Sequence, residues 1–177
     1  MQSRARLDDE RGVSLIEVLV ALVLIVLLLT SLSQLFALAT TSNLTARGRT
    51  AAALLAEEKL EELRELPFGF DQQGAAITDL TTDTTGEVPA GGGTGLTPGG
   101  AIDGTVAGYS DYLDAFGHRI DGAHATFVRR WSIQPLAALA NALVIRVLVL
   151  RRHDAGRDPT TVVDAVHVVA VRSRKAR

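Results

Sequence analysis

Apolar residues along this 177-residue chain fall into three patterns, and each predicts a different element. From Val13 to Leu29 every residue is apolar except Ser14 and Glu17. The run continues through Leu32, Leu35, Phe36 and Leu38 with only uncharged interruptions. Further on the pattern turns periodic: Ala53, Ala56, Leu60, Leu63 and Leu66 recur three or four residues apart, the spacing of one helix face. No proline precedes Pro67, and Gly48 is the only glycine between Val13 and Leu66. Both patterns therefore belong to one predicted helix of about 54 residues, roughly 80 Å long, which Pro67 stops. Gly48 is either a bend or a tolerated helix glycine.

The third pattern is alternation. Residues 125–133 place Phe127, Trp131 and Ile133 on one face, with Arg129 among them. Residues 143–150 place Leu143, Ile145, Val147 and Val149 on one side, and residues 161–171 are valine-rich, interrupted by Asp164 and His167. Three such runs joined by turn-rich segments predict an antiparallel sheet, with the last hairpin turn at Asp154 to Pro159. A sheet must bury one face, so it should lie on the amphipathic half of the helix. The predicted fold class is α+β. Residues 69–108 show no periodicity and are rich in Gly, Thr and Asp, including Gly91-Gly92-Gly93 and Pro98-Gly99-Gly100. A connection this long without pattern is unusual in a compact domain.

Charge is unevenly spread. The net value of −2 conceals residues 50–117, with 12 acids and 2 bases, and residues 118–177, with 11 bases and 4 acids. Opposite halves either neutralise each other within one subunit or steer contacts between copies. On the helix, Glu57, Glu58, Glu61, Glu62 and Glu65 stand against Lys59 and Arg64 on what reads as a solvated outer face. The alternative is an intersubunit contact of Glu57, Glu58 and Glu61 with Arg47 and Arg49 of a neighbour, about 15 Å along the helix. No cysteine is present, which excludes disulfides, thiolate ligands and a cysteine nucleophile.

Glu17 is the anomaly. A charge in a membrane span costs on the order of 3 kcal/mol near the centre and less near the ends. A secretory signal would need a cleavage site after the apolar run, and Leu38-Ala39-Thr40-Thr41-Ser42 is a poor one. A plain signal anchor explains the length but not the carboxylate. The sequence Gly12-Val13-Ser14-Leu15-Ile16-Glu17 closely resembles the cleavage and methylation motif of type IV prepilins and type II secretion pseudopilins. The resemblance implies a pilin-like fold and a membrane peptidase that cuts between Gly12 and Val13 on the cytoplasmic side and N-methylates Val13. Family members usually carry Phe where Val13 stands, and their leaders are more basic than residues 1–12, where three arginines meet three acids. It also implies that Glu17 pairs with the amine of a neighbouring subunit's residue 13 during assembly. That pair should serve register more than raw stability, because both ions must be desolvated.

The stretch from Ala51 to Arg64 is similar to the helix of minor pilins of the PilV type and of minor pseudopilin I of type II secretion. The expected organisation is a leader at 1–12, a transmembrane and assembly half at 13–38, an amphipathic half at 39–67, a variable connection at 68–124, and a sheet head with a basic tail at 125–177. The expected partners are the prepilin peptidase, other pilins or pseudopilins, the inner-membrane assembly platform and membrane lipid. The leader would lie in the cytoplasm and the head in the periplasm of a bacterium, before incorporation into a pilus or pseudopilus. No cofactor is expected.

Other chemistry is thin. His118, His124, His153 and His167 show no metal-ligand spacing, and no phosphate loop or nucleophile elbow occurs. The chain reads as a non-enzyme. Asp111, Asp114 and Asp121 are the oxygens a calcium ion would use, set against the plainer reading of turn aspartates without EF-hand spacing. The tail from Arg172 to Arg177 carries four cations and no aromatics, a solvated tail or a contact for DNA phosphates. That tail and the acidic helix are the basis of a second reading, a membrane-anchored binding module for DNA or a surface ligand.

Overall fold

The computed structural model describes residues 14–85, 94–137, 139 and 141–174. The fold is α+β: a long N-terminal helix, then antiparallel strands. Helix α1 runs Leu15–Glu65 and stops just before Leu66-Pro67. Among the described residues seven strands follow: β1 (Phe68–Phe70), β2 (Ala76–Thr78), β3 (Gly99–Gly100), β4 (Ser110–Leu113), β5 (Phe127–Pro135), β6 (Ala142–Arg151) and β7 (Val166–Ser173). By internal contacts the chain divides into residues 1–44 and 45–177.

In the first unit the described residues are helical from Leu15 onward and every side chain is exposed. Three of the polar side chains along it, Thr30, Ser31 and Ser33, fold back onto carbonyls four residues earlier, so their hydroxyls need no water.

In the second unit, helix residues Ala52, Leu55, Ala56, Leu60 and Leu63 pack on Phe127, Trp131, Ile133, Ile145, Val147 and Val149 of the sheet. The expected stripe is thus rotated: Ala53 and Leu66 are half-buried, and Ala52 and Leu55 take the centre. Phe127, Arg129, Trp131 and Ile133 share the helix-facing side, as their alternation predicted. The sheet order is β3-β5-β6-β7, with β4 also on β5, all antiparallel. A smaller core of Val128, Leu148 and Leu150 lies on the opposite face under Ile102, Tyr112 and Ala155.

The described residues of the 68–124 stretch hold more strand structure than composition suggested. They hold β1 paired with β2, and both β3 and β4. Asp79 accepts from the Thr81 and Thr82 amides (2.9 and 3.0 Å) and from the Thr82 hydroxyl (2.6 Å), fixing the chain after β2. These bonds hold its carboxyl below the ordinary range. Gly100, at φ +78°, lies against the Trp131 carbonyl and the Tyr109 ring, where a side chain has no room. The valine-rich run also differs: β7 begins at Val166, and a 3-10 turn at Arg152–Asp154 plus further turns occupy the residues before it. Gly48 stays helical; a Cβ there would collide with the Arg151 guanidinium, so the glycine makes room and marks no break.

Candidate functional site

Glu17 stands in the first turn of α1, where the helix dipole favours a carboxylate. The Ser14 carbonyl accepts from the Glu17 amide at 2.9 Å and the Val18 amide at 3.2 Å, which starts the helix. Around it Leu15, Ile16, Val18 and Leu19 are 86, 64, 52 and 56% exposed. Glu17 has no ion pair among the described residues. Gly12 and Val13 lie outside the described residues. The helix is long and apolar enough to cross a membrane.

The charged helix residues further along are placed by residues 45–65. Arg47 and Arg49 are exposed and unpaired among the described residues. Glu57, Glu58 and Glu61 are exposed too, with Leu54 (67% exposed) one turn before them. Glu61 takes Arg64 at 2.6 Å, and Glu58 lies 3.9 Å from Arg129. Lys59 and Glu62 do not belong to that face. Lys59 is fully buried, with its Nζ 3.0 Å from Glu62 Oε2, 4.0 Å from Asp111 Oδ2 and 3.9 Å above the Trp131 ring, and it donates to the Thr84 carbonyl. Burial pushes its amine down to about 8, against the opposing pull of Asp111 and Glu62.

Asp111 is the hub of this cluster. Its two oxygens take Arg129 Nε at 3.0 Å and Nη2 at 2.8 Å, a fork on a carboxylate. Arg119 reaches the same carboxylate at 3.3 Å and Glu62 at 3.1 Å. Arg129 also donates to the Leu55 carbonyl at 2.9 Å. Helix, β4, β5 and the 79–85 segment are thereby joined through charges that are mostly out of water. Such a network is weak evidence of stability, but removing one member leaves others uncompensated.

The structure gives Asp111, Asp114 and Asp121 separate partners. Asp111 is committed to guanidiniums. Asp114 accepts from the Phe116 and His118 amides (2.7 and 2.9 Å), and Asp121 from the Ala123 amide (3.0 Å), as turn aspartates do. Among the described residues no three such side chains gather as a metal site. Nor is the described part of the basic tail solvated. Arg172 donates to the Leu63 carbonyl at 2.9 Å and to the Leu66 carbonyl, capping the last turn of α1. Arg174 donates to the Gly69 and Ile77 carbonyls at 3.0 and 2.6 Å and lies 4.2 Å above the Phe68 ring. A signal for the buried cluster was present in the sequence: an arginine between Phe127 and Trp131 on an apolar strand face requires an acid.

Residues 7–33 match the family defined by the prokaryotic N-terminal methylation motif. That motif, with the apolar helix behind it, supports a prepilin-type subunit, a pilin or pseudopilin, processed by prepilin peptidase and assembled with others of its kind. No curated protein and no solved structure was found to match the chain.

Proposed function

We propose that this chain is a non-enzymatic structural subunit, a minor pilin that enters a type IV pilus and helps initiate its assembly. In this reading the peptidase cuts between Gly12 and Val13, Val13 is N-methylated, and the helix stays in the inner membrane with the head in the periplasm. Glu17 then meets the new amine of a neighbouring subunit. The observation that carries the reading is Glu17 itself: a carboxylate without a partner among the described residues, inside the methylation motif, on a helix stretch wholly exposed in the isolated chain. Arg47 and Arg49 on one side of Leu54, and Glu57, Glu58 and Glu61 on the other, give neighbouring helices a second, electrostatic contact. A minor pseudopilin of a type II secretion system shares these features. It is separated by which assembly platform co-purifies with the chain.

Mass spectrometry of the chain isolated from membranes tests the reading. An N-methylated terminus at Val13 is expected. A chain beginning at Met1, or one cut after Ala39, overturns it. Removing residues 172–177 is a poor test of a DNA-binding role, since Arg172 and Arg174 hold the end of α1 and the β1–β2 pair.

A further inference from the structure

The main sheet ends differently at its two edges. On one side, β5 is covered by β3 and β4, of two and four residues. On the other, β7 is eight residues long and, among the described residues, pairs with no strand but β6, in an unbroken register from Val149↔Val166 to Ala142↔Ser173. Protein edges are normally guarded by lysine, proline, a bulge or shortness. The run Val166-His167-Val168-Val169-Ala170-Val171 has none of these. A segment of this kind, β-branched and carrying no acid, lysine or arginine, is an aggregation hazard when left bare.

The hydrogen-bond phase of the edge can be read from the ladder's end. The Arg174 amide donates to the Asn141 carbonyl at 2.8 Å, in register with the pairing of β6 and β7. Antiparallel pairs alternate between bonded and non-bonded positions. Val166, Val168, Ala170 and Arg172 therefore bond to β6, and the amides and carbonyls of His167, Val169, Val171 and Ser173 point to the open side. Those four side chains are also the exposed ones, Val169 and Val171 at 52 and 60%. One strand inward, Arg146 is paired in register with Val169 and is half-buried. No carboxylate pairs with it among the described residues. His167 beside it, exposed yet partly desolvated, is held below its ordinary range by that desolvation and by Arg146, so it adds little charge at neutral pH.

We propose that the open edge of β7 is a strand-addition site for an extended segment of another protein subunit. That segment places a carboxylate on the row of Val169 and Arg146 and an apolar residue on the row of Val171 and Val144. Main-chain bonds supply the affinity and the two rows the selectivity, as in other strand additions. Two strand spacings, roughly 10 Å, separate the incoming carboxylate's backbone from that of Arg146, and their side chains extend toward each other across Val169. A second copy of β7 brings no acid to this row and adds another Arg146 to the same face. The charge therefore selects a different, acidic partner.

The test uses the full chain in detergent micelles, followed by amide hydrogen exchange. The probe is the heptapeptide Thr-Val-Thr-Glu-Thr-Val-Thr, with versions carrying Lys for Glu or N-methylated along one edge. The amides of Val169 and Val171 should exchange rapidly alone and at least tenfold more slowly with the glutamate peptide. The Lys and N-methyl peptides should protect weakly, and Arg146→Glu should reverse the preference for Glu over Lys. Val169→Pro, which removes an outward donor and no bond to β6, should abolish protection. The N-methyl peptide makes the same point without altering the protein. Absence of protection, or equal protection by the Glu and Lys peptides, overturns the proposal. So does an edge already protected in a dimeric chain, which would mean that a second copy sits there. None of these outcomes depends on cleavage or on Glu17.

Discussion

The stretches of α1 before and after Leu44 each set an ionisable side chain among apolar ones, Glu17 and Lys59. Lys59 has Glu62, Asp111, the Thr84 carbonyl and the Trp131 ring around it, all from its own chain. Glu17 has exposed leucines, isoleucine and valines beside it and no cation among the described residues. A fold can complete a buried charge internally when distant segments are folded against the helix. A bare helix offers no such partners, so its carboxylate is left to solvent, a proton or another molecule. In the reading proposed above, Lys59 belongs to folding and Glu17 to assembly.

The largest effect should come from breaking the second half of that contrast. Glu17→Ala should leave membrane insertion, cleavage and thermal stability unchanged, while incorporation into filaments, read by immunoblot of sheared pili, falls tenfold or more. Normal incorporation would show that the head and the Arg47/Arg49 and Glu57/Glu58/Glu61 contacts suffice. Next, Asp111→Ala strips the hub from Lys59, Arg119 and Arg129 and should cost about 3–5 kcal/mol in denaturant unfolding, the range for a buried cation left unpaired. Charge balance makes Lys59→Met milder, because Arg119 and Arg129 still face Glu62 and Asp111.

Lys59 also gives the fold a pH signature that sharpens the comparison. Its amine sits at about 8 in the fold against an ordinary 10.5. Between those values the unfolded chain binds the extra proton, so stability rises with pH through that window, by up to about 3 kcal/mol. Below pH 8 both states are protonated and the slope vanishes. Lys59→Met should lack the rise when unfolding is followed from pH 7 to 10. The smallest effect expected is that of Arg172→Ala. Loss of its bonds to the Leu63 and Leu66 carbonyls should cost about 1–2 kcal/mol and speed amide exchange in the last turn of α1.

How legible each half was follows from the same physics. The apolar run, the methylation motif and the long helix could be read directly, because they depend on local composition and on residues within a few positions of one another. The strands Phe127–Pro135 and Ala142–Arg151 were legible from alternation. Lys59 was misplaced because an i,i+3 neighbourhood of glutamates looks solvated until Asp111 and Trp131, more than fifty residues away in sequence, are folded against it. Asp111 was read as a turn or ligand residue because its partner Arg129 lies on another strand. The 68–124 region hid β4 because four residues with one aspartate carry too little pattern to stand out from turns. Arg172 and Arg174 looked like a tail because nothing in their sequence neighbourhood announces that the helix end lies beside them.

The grip of the sheet on α1 has a consequence for how such a subunit can change over time. Arg129 holds the Leu55 carbonyl, and Arg172 holds those of Leu63 and Leu66. All three contacts are to main chain, which every residue type supplies. The outward side chains of the same helix, Arg47, Arg49, Leu54, Glu57 and Glu61, are therefore free to be exchanged without loosening the head. In the proposed reading, where that face meets a neighbour, a lineage could retune which neighbour the helix accepts, one surface substitution at a time, while the domain behind it stays folded.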